Sequence, residues 1–380
     1  MNEYTVQPGD TLYSIARLFN MPTERLRSLN PEIADTDILF VGQTLRIPDV
    51  GLVRPVIEVN GYIYPVENPL QWIGIFPYLT YLSIFGHEIR PCGMLAVPDS
   101  MPLILAARQA GVAPLMVITN TVDGVYSGEL LHGILSDPQA QQTLIQNSIQ
   151  VAQAYGYYGV NFGFEYVFPE DYAAYASFLE MASNQLHALG LIIVASIRLV
   201  VILPEPPSLS EALAHYSRIL DRYIITPADI VCSTYREPID VIQQGLDYVT
   251  QYFSNPKILL GIPTCCYEWD VPYSPGNEYR MLSPGQVDEI TRLSGAYPEI
   301  DPNTQMTYFR ILEDGNLTRV IMCASAPSLA VTELVRVYNL GGVSFRPLNL
   351  FNLASYQVIH VRNDIRKVLP SSDISNSRYF

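Results

Sequence analysis

From residue 56 onward, short apolar runs rich in β-forming residues alternate with amphipathic helical stretches such as 139–154 and 169–186. Apolar runs that are separated by helices are typical of a parallel sheet covered on both faces. Eight such units fit a TIM barrel, which commonly takes about 250 residues plus insertions. The sequence therefore predicts an α/β fold, a (β/α)8 barrel over 56–370, with strands at 59–64, 78–85, 113–119, 159–164, 191–197, 230–234, 258–262 and 342–345.

A hairpin is predicted between the last two strands of this barrel. Residues 306–312 and 317–322 flank the tetrapeptide EDGN at 313–316, and Asp-Gly is a favoured turn sequence of β-hairpins. The pattern predicts a small α+β insertion at about 270–325. The Ser-rich residues 371–380 are predicted to form a C-terminal tail.

The charge balance restricts the class of partner. Only 16% of the residues are charged, and 37 acidic residues against 22 basic ones give a net charge of -15. A negative surface repels phosphate backbones and anionic lipid headgroups, and no apolar run reaches the length that spans a membrane. We therefore expect a neutral polymer or a basic protein as the partner, rather than nucleic acid or a membrane.

The basic side chains are nearly all arginines, because Lys257 and Lys367 are the only lysines, and the chain has 26 tyrosines. Arginine and tyrosine are enriched at protein interfaces, whereas lysine is depleted there. This bias predicts a homo-oligomer or an envelope assembly. The start of the chain has neither a basic region nor an apolar stretch, so we expect synthesis in the cytosol without a secretory signal.

The cysteines form no Cys-x-x-Cys pair, and the sequence predicts neither a metal site nor a cofactor. Free cysteine commonly behaves as a small core residue. We therefore expect buried reduced thiols in preference to disulfides, with intermolecular cross-linking as the alternative. The five cysteines are Cys92, Cys232, Cys265, Cys266 and Cys323.

The first 48 residues read as a separate βααβ unit, joined to the barrel by a short linker at 49–55. A β-branched strand, a Pro-Gly turn, two short helices and a closing strand follow one another. The segment resembles a LysM domain through YTVQPGDTLYSIA, LNP and GQTLRIP, which lie within residues 3–48.

The LysM resemblance implies a groove for N-acetylglucosamine glycans such as peptidoglycan or chitin. Two loops would form it, one after the first strand and one after the second helix. A structural interpretation stands beside this one, in which the loop residues serve a tight turn, a helix cap and a helix stop. The implied groove residues are Gly9, Asp10, Thr11, Asn30, Pro31 and Ile38.

A carboxylate follows the fourth predicted strand, in the segment that ends Phe164-Glu165. Chemistry in TIM barrels takes place at the carboxyl ends of the strands. A carboxyl group there is a candidate general acid if its surroundings keep it protonated. Glu165 is therefore the catalytic candidate. Glu170 and Asp171 follow a proline ahead of a helix. We interpret them as capping and first-turn acidic residues, in preference to a relocated catalytic mechanism.

The barrel resembles the glycoside hydrolase family 18 domains of spore-cortex N-acetylglucosaminidases, which carry LysM modules ahead of the barrel. This resemblance implies substrate-assisted cleavage of β-1,4 bonds in peptidoglycan, with the acetamido oxygen of the sugar as the nucleophile. The segments that carry it are NGYIYP, PYLTYLSIFGHEI, APLMVITN, GYYGVNFGFEYVFPEDY, GIPTCCYEWDVPY and YNLGGVSF.

The chain departs from that family at the positions that matter for hydrolysis. Active members end the fourth strand with DGxxxDxE, but here Tyr158 and Gly163 replace the two aspartates. The second of these normally holds the acetamido group and stabilises the developing positive charge. Arg236 stands where the family has an acidic residue, and Arg346 where it has the tryptophan floor of the sugar subsite.

Three hypotheses follow. The barrel has lost hydrolysis and serves a structural, self-assembling role in the spore envelope, since arginines near Glu165 would oppose proton donation. Alternatively it is a lectin, binding glycan through the remaining aromatic residues Tyr235, Tyr267 and Trp269. In the third hypothesis, the barrel is a weak N-acetylglucosaminidase that depends on Glu165 as general acid, and Tyr235 is a further catalytic candidate.

Overall fold

The N-terminal module has the predicted βααβ order. β1 (Asn2–Thr5) pairs antiparallel with β2 (Thr44–Ile47), and α1 (Leu12–Leu18) and α2 (Thr23–Leu29) lie between them in the chain. The module has a core of its own, separate from that of the barrel, formed by Val6, Leu12, Ile15, Ala16, Phe19, Met21, Leu26, Ile33, Leu45 and Ile47.

The computed structural model describes most of the chain, and the linker and the C-terminal tail fall largely outside it. The described residues are 2–7, 10–19, 21–33, 39–47, 54–65, 69–199, 207–227, 238–263, 266–272, 280–300, 307–323, 329–348, 359–360 and 363–370. Among them, no helix is both long enough and apolar enough to span a bilayer.

Eight parallel strands form a closed barrel, which confirms the predicted TIM fold. Neighbours in the chain pair in order around the barrel, and the eighth strand pairs with the first to close it. The strands are β3 (Val56–Ile63), β4 (Tyr81–Glu88), β5 (Ala113–Thr119), β8 (Gly159–Phe162), β9 (Ile192–Leu199), β10 (Arg222–Pro227), β11 (Ile258–Pro263) and β17 (Gly342–Arg346). Between β5 and β8, a short antiparallel hairpin is formed by β6 (Thr121–Val122) and β7 (Val125–Tyr126).

Two strands differ from their predicted positions. The sixth, β10, begins at Arg222 and is held in register by parallel pairing to β9 and β11, whereas the predicted run at 230–234 lies outside the described residues. The second, β4, begins at Tyr81, because a 3-10 helix occupies Pro69–Tyr78.

The seam of the barrel explains the Gly-Gly pair that precedes β17. A Cβ atom at Gly342 would overlap the backbone of Glu58 where β17 meets β3. Only glycine allows this close approach of two backbones. At the same end of the barrel, Arg222 donates to both carboxylate oxygens of Glu58, at 2.5 and 2.6 Å.

Helices cover the outside of the barrel, and the predicted helices at 139–154 and 169–186 are both present. The described α-helices of this region are α3 (Met101–Gln109), α4 (Gly128–Leu135), α5 (Pro138–Tyr155), α6 (Tyr172–His187), α7 (Pro207–Ile219), α8 (Pro238–Val249) and α10 (Leu329–Val337). A two-residue strand β18 (Asp364–Ile365) adds to the barrel beside β3.

The inserted subdomain is a five-stranded antiparallel sheet that includes the predicted hairpin at the Asp-Gly turn. It begins at residue 266, slightly earlier than predicted, and its sheet order is β13-β12-β16-β15-β14. Helix α9 (Pro284–Ser294) packs against it. The strands are β12 (Cys266–Asp270), β13 (Arg280–Leu282), β14 (Pro298–Ile300), β15 (Thr307–Glu313) and β16 (Asn316–Cys323).

The expectation of reduced thiols is wrong for two of the cysteines. Cys266 and Cys323 stand directly opposite each other on β12 and β16 and form a disulfide. Cys92 is a free thiol as predicted, but it is exposed rather than buried. Cys232 and Cys265 lie outside the described residues. Antiparallel pairing brought two distant cysteines together, which residue spacing alone could not indicate.

His87, at the end of β4, is buried, and burial lowers its pKa to about 4. Its Nε2 lies 3.3 Å from the hydroxyl of Tyr157, which in turn contacts Ser100 at 2.8 Å. The unfolded chain binds a proton at this histidine below about pH 6.5, whereas the folded chain does so only near pH 4.

We therefore expect His87 to remove stability as the pH falls from about 6.5 to 4, by about 3 kcal/mol in total. Urea unfolding at pH 7 and pH 4.5 measures this, with His87→Gln as the comparison because glutamine does not titrate. The free energy of unfolding should fall more in the wild type than in the variant. Equal falls would show that this histidine does not contribute.

Candidate active site

The backbone of Glu165 is clamped at the mouth of the barrel. Asn120, which follows β5 and is fully buried, accepts the Glu165 N–H at 3.0 Å and donates to the Glu165 carbonyl oxygen at 2.8 Å. The same amide donates to the carbonyl oxygen of Ser127. Asn120 therefore ties the ends of two neighbouring strands together, and sequence reasoning missed it although it closes the APLMVITN segment.

Arg346, the last residue of β17, reaches across the mouth to Glu165. Its Nη1 lies 3.2 Å from Glu165 Oε1, and its Nη2 donates to the Tyr126 hydroxyl at 3.0 Å. The guanidinium carbon also lies 5.0 Å from the centre of the Phe85 ring and 5.9 Å from that of Tyr62, a cation–π arrangement. Arg346 therefore occupies the cleft directly beside the candidate acid.

The neighbours of Arg346 stabilise the positive charge of its guanidinium. Burial alone would lower the pKa of the guanidinium, but the oxygens of Tyr126, Glu165 and Tyr62 outweigh that effect and raise this pKa above its usual value. Burial raises the pKa of Tyr126 as well. The cleft therefore holds a permanent cation whose partners are one carboxylate and neutral phenols. Arg236, the other predicted arginine, lies outside the described residues.

Replacing Arg346 with methionine should lower the free energy of unfolding by about 2 kcal/mol. Removing one member of a buried ion pair commonly lowers the free energy of unfolding by several kcal/mol. The loss should be smaller here, because a third of the Arg346 side chain is exposed and solvent screens the pair. Chemical denaturation measures the change, and adding Glu165→Gln should recover part of it. Arg310→Met is the control, because Arg310 and Glu299 form an exposed pair and should change stability by less than about 0.5 kcal/mol.

The two residues that stand where the glycoside hydrolase family has aspartates lie at opposite ends of β8. Tyr158 precedes the strand and packs near Tyr81 at the amino-terminal end of the barrel, far along the strand from Glu165. Gly163 directly follows the strand and is buried, and a Cβ there would lie 3.3 Å from Val117 Cγ1. Of the two substitutions, only the glycine stands beside the candidate acid.

Aromatic side chains at the mouth form a stack that sequence reasoning missed. Tyr64 stacks on Phe85 with ring centres 4.7 Å apart, and Phe85 stacks on Tyr62 at 5.0 Å. Tyr64 is half exposed, and Tyr166, directly after Glu165, is more exposed still. Tyr166 adopts a left-handed backbone conformation with φ 56°. Exposed aromatic faces therefore flank the Glu165–Arg346 pair.

The predicted aromatic residues of the insertion lie on one face of β12. Tyr267 and Trp269 are both partly buried, and the intervening Glu268 points to the other face. Glu268 is buried and binds Arg280 and Arg319, so the strand is fixed by charge-assisted bonds. Tyr235, the third predicted aromatic, lies outside the described residues.

The LysM loops contain both structural and accessible side chains. Asn30 is fully buried and exchanges hydrogen bonds with the backbone of Arg46, so it holds the loop rather than offering its amide to a glycan. Asp10 accepts the N–H of Gln7 at 2.6 Å, which closes the turn after β1.

Thr11 and Pro31 are exposed on these loops. The remaining groove residues of the prediction, Gly9 and Ile38, lie outside the described part of the chain. Across the described residues, no group of three His, Cys, Asp or Glu side chains is arranged to hold a metal ion.

Glu170 and Asp171 occupy the first turn of the 3-10 helix ahead of α6, as predicted, but the capping role predicted for Asp171 is wrong. Its side chain makes no cap bond to helix α6 but is buried and contacts Nδ1 of His132 through both carboxylate oxygens, each at 2.9 Å. A carboxylate in the sequence before a helix looks like a cap, and only the packing of α4 against this segment reveals the histidine.

Known proteins with a similar sequence include a cortical fragment-lytic enzyme and a putative sporulation-specific glycosylase. Residues 4–48 match the LysM domain family. The chain is 29% identical to the cortical fragment-lytic enzyme of Bacillus subtilis, covering 92% of this chain and 95% of that protein. It is 27% identical to the putative sporulation-specific glycosylase YdhD of Bacillus subtilis, covering 91% and 84%.

Solved structures agree. The spore cortex-lytic enzyme SleL of Bacillus cereus superimposes with a TM-score of 0.84 at 26% identity, covering 97% of this chain and 88% of that one. A family GH18 chitinase from Cycas revoluta, at 18% identity and a TM-score of 0.64 over 80% of this chain and 98% of that one, shares the fold. The chain therefore consists of a LysM domain and a GH18-like barrel that resembles SleL and YdhD.

Proposed function

We propose that this chain binds N-acetylglucosamine-containing peptidoglycan through its LysM domain and its barrel cleft, and that the barrel has lost hydrolysis. The observation that carries the proposal is the Arg346 guanidinium against Glu165, beside a glycine at position 163. Both features remove chemistry that substrate-assisted cleavage needs.

Glu165 would have to give a proton to the leaving oxygen. The Arg346 guanidinium lies 3.2 Å from one oxygen of that carboxyl group, and this charge-assisted bond competes with any contact to the leaving oxygen. Gly163 offers no carboxylate to hold an acetamido group or to stabilise positive charge on it. Binding survives these losses, since aromatic faces and backbone groups can still recognise a sugar.

Binding at the barrel is tested by calorimetric titration of residues 49–380 with chitooligosaccharides, because the LysM domain, which has a core of its own, would bind the same ligand in the full chain. The variant Tyr64→Ala/Tyr166→Ala removes the exposed rings beside Glu165 and should weaken barrel binding about tenfold or more, as expected for lost stacking contacts. Tyr297→Ala is the matched control, because Tyr297 is equally aromatic and highly exposed but belongs to the insertion. Equal affinities in all three proteins would exclude the mouth of the barrel as a glycan site.

A second function, a weak N-acetylglucosaminidase with Glu165 as general acid, is favoured by the names of the relatives, which are cortical fragment-lytic enzymes. Incubation with cortex fragments, followed by chromatography of released products, distinguishes the two. Turnover by the wild type that disappears in Glu165→Gln would establish the hydrolase and overturn the proposed loss of activity.

We further propose that the protein lies in the spore envelope as a structural component that associates with itself. The support is the sporulation-related names of its relatives, together with its excess of arginine and tyrosine over lysine, a bias found at protein interfaces. Analytical ultracentrifugation across a range of concentrations should reveal oligomers, and a monomer at all concentrations would contradict self-assembly.

A further inference from the structure

A serine, a histidine and a carboxylate are aligned on the outside of the barrel, at the end of α4. Ser136 Oγ lies 3.4 Å from Nε2 of His132, and Nδ1 of the same ring lies 2.9 Å from both oxygens of Asp171. None of these residues takes part in the cleft described above.

The three side chains differ in solvent exposure, and this difference suits them to different chemical roles. The Asp171 side chain is only 7% exposed, whereas the His132 ring is 49% exposed and Ser136 faces solvent. A buried carboxylate that accepts from Nδ1–H fixes the imidazole tautomer and leaves the lone pair of Nε2 directed at the serine hydroxyl. The hydroxyl then donates to Nε2, which is the polarity of a nucleophile and its general base.

We propose that Ser136, His132 and Asp171 form a second reactive site, which takes small acyl esters such as an acetyl ester on a sugar hydroxyl. Ser136 is the nucleophile, His132 is the base, and Asp171 is a positioning residue. The position suits a substituent of a glycan, because the first residue of α4, Gly128, packs closely against the carbonyl of Tyr166 at the cleft. The eight-residue helix places Ser136 roughly 12 Å further along.

The reaction requires no reactants other than the ester and water. The Ser136 oxygen bonds to the acyl carbon while its proton passes to His132 Nε2. The bond between the acyl carbon and the alcohol oxygen then breaks, and the alcohol leaves with that proton. Water attacks the acyl-serine in the same way, which releases the carboxylic acid and regenerates the hydroxyl.

The site has a nucleophile and a base but few donors for the developing oxyanion. The backbone N–H groups of Ser136 and Asp137 donate to the carbonyl oxygens of His132 and Ile134, and the N–H of Gln139 donates to the Asp137 side chain. Losing one oxyanion donor commonly costs a hundredfold or more in rate. We therefore expect fast covalent capture of activated acyl and phosphonyl reagents but slow turnover of esters.

The test uses the full chain and a fluorophosphonate probe, in which a bond from Ser136 to phosphorus forms as fluoride leaves. Peptide mass spectrometry should find the adduct on Ser136, Ser136→Ala should remove it, and His132→Gln and Asp171→Asn should each slow labelling at least tenfold. Ser294→Ala is the matched control, because this exposed helix-end hydroxyl donates to the backbone oxygen of Ile290 and should not affect labelling.

Two results would overturn the proposal. The first is a wild-type chain that stays unlabelled after prolonged exposure, which would leave the histidine and aspartate as a purely structural link between α4 and the segment before α6. The second is equal labelling rates in the wild type and in folded His132→Gln or Asp171→Asn. Melting curves identify a variant that has unfolded, and the comparison of wild type with Ser136→Ala is decisive without either variant.

Discussion

Reducing the disulfide between Cys266 and Cys323 should lower the free energy of unfolding of the inserted subdomain by about 4 kcal/mol. The two cysteines are 57 residues apart, and loop-closure entropy for a loop of that length gives this magnitude. Cys266 begins β12 and Cys323 ends β16, so the bond joins the point where the chain enters the subdomain to the point where it leaves.

Urea unfolding with and without reductant measures the effect, and Cys323→Ser should reproduce it without reductant. Cys92→Ser is the control, because Cys92 is a free thiol. Cys265→Ser distinguishes the two adjacent cysteines, since it should leave stability unchanged if Cys266 is the bonded one. Identical unfolding of the oxidised and reduced chains would contradict the disulfide.

Sequence reasoning predicted the architecture well because its signals are local. Alternating apolar strands and amphipathic helices identified the barrel, and the Asp-Gly turn at 314–315 identified the hairpin between β15 and β16. The position of the sixth strand was harder to predict, because two β-rich runs, 222–227 and 230–234, lie close together in the sequence. Pairing with β9 and β11, a non-local property, selects Arg222–Pro227.

Side-chain partners were harder to predict because they depend on which elements meet. The contact of Arg346 with Glu165 follows from the parallel barrel, since residues at the carboxyl ends of strands share one mouth. Nothing in the sequence indicated that Asp171 would turn to His132. Fold-level signals are periodic, whereas these contacts each depend on a single packing arrangement.

Restoring the missing chemistry should create hydrolysis. We expect Gly163→Asp combined with Arg346→Trp to cleave cortex fragments at least about 100-fold faster than the wild type, because one charge-stabilising group at a reaction centre is commonly worth that factor. The backbone at Gly163 needs no left-handed conformation, and an added Cβ would require Val117 to move by only a few tenths of an ångström. The tryptophan removes the cation that engages Glu165.

The single variants separate the two contributions. Gly163→Asp alone should gain little, because Arg346 would still occupy the cleft and pair with Glu165. Arg346→Trp alone should release Glu165 but still lack the group that steadies the acetamido oxygen. Glu165→Gln in the double variant should abolish the new activity, which ties it to this carboxyl. If the double variant stays inactive although folded and able to bind chitooligosaccharides, the loss of hydrolysis has a cause beyond these two positions.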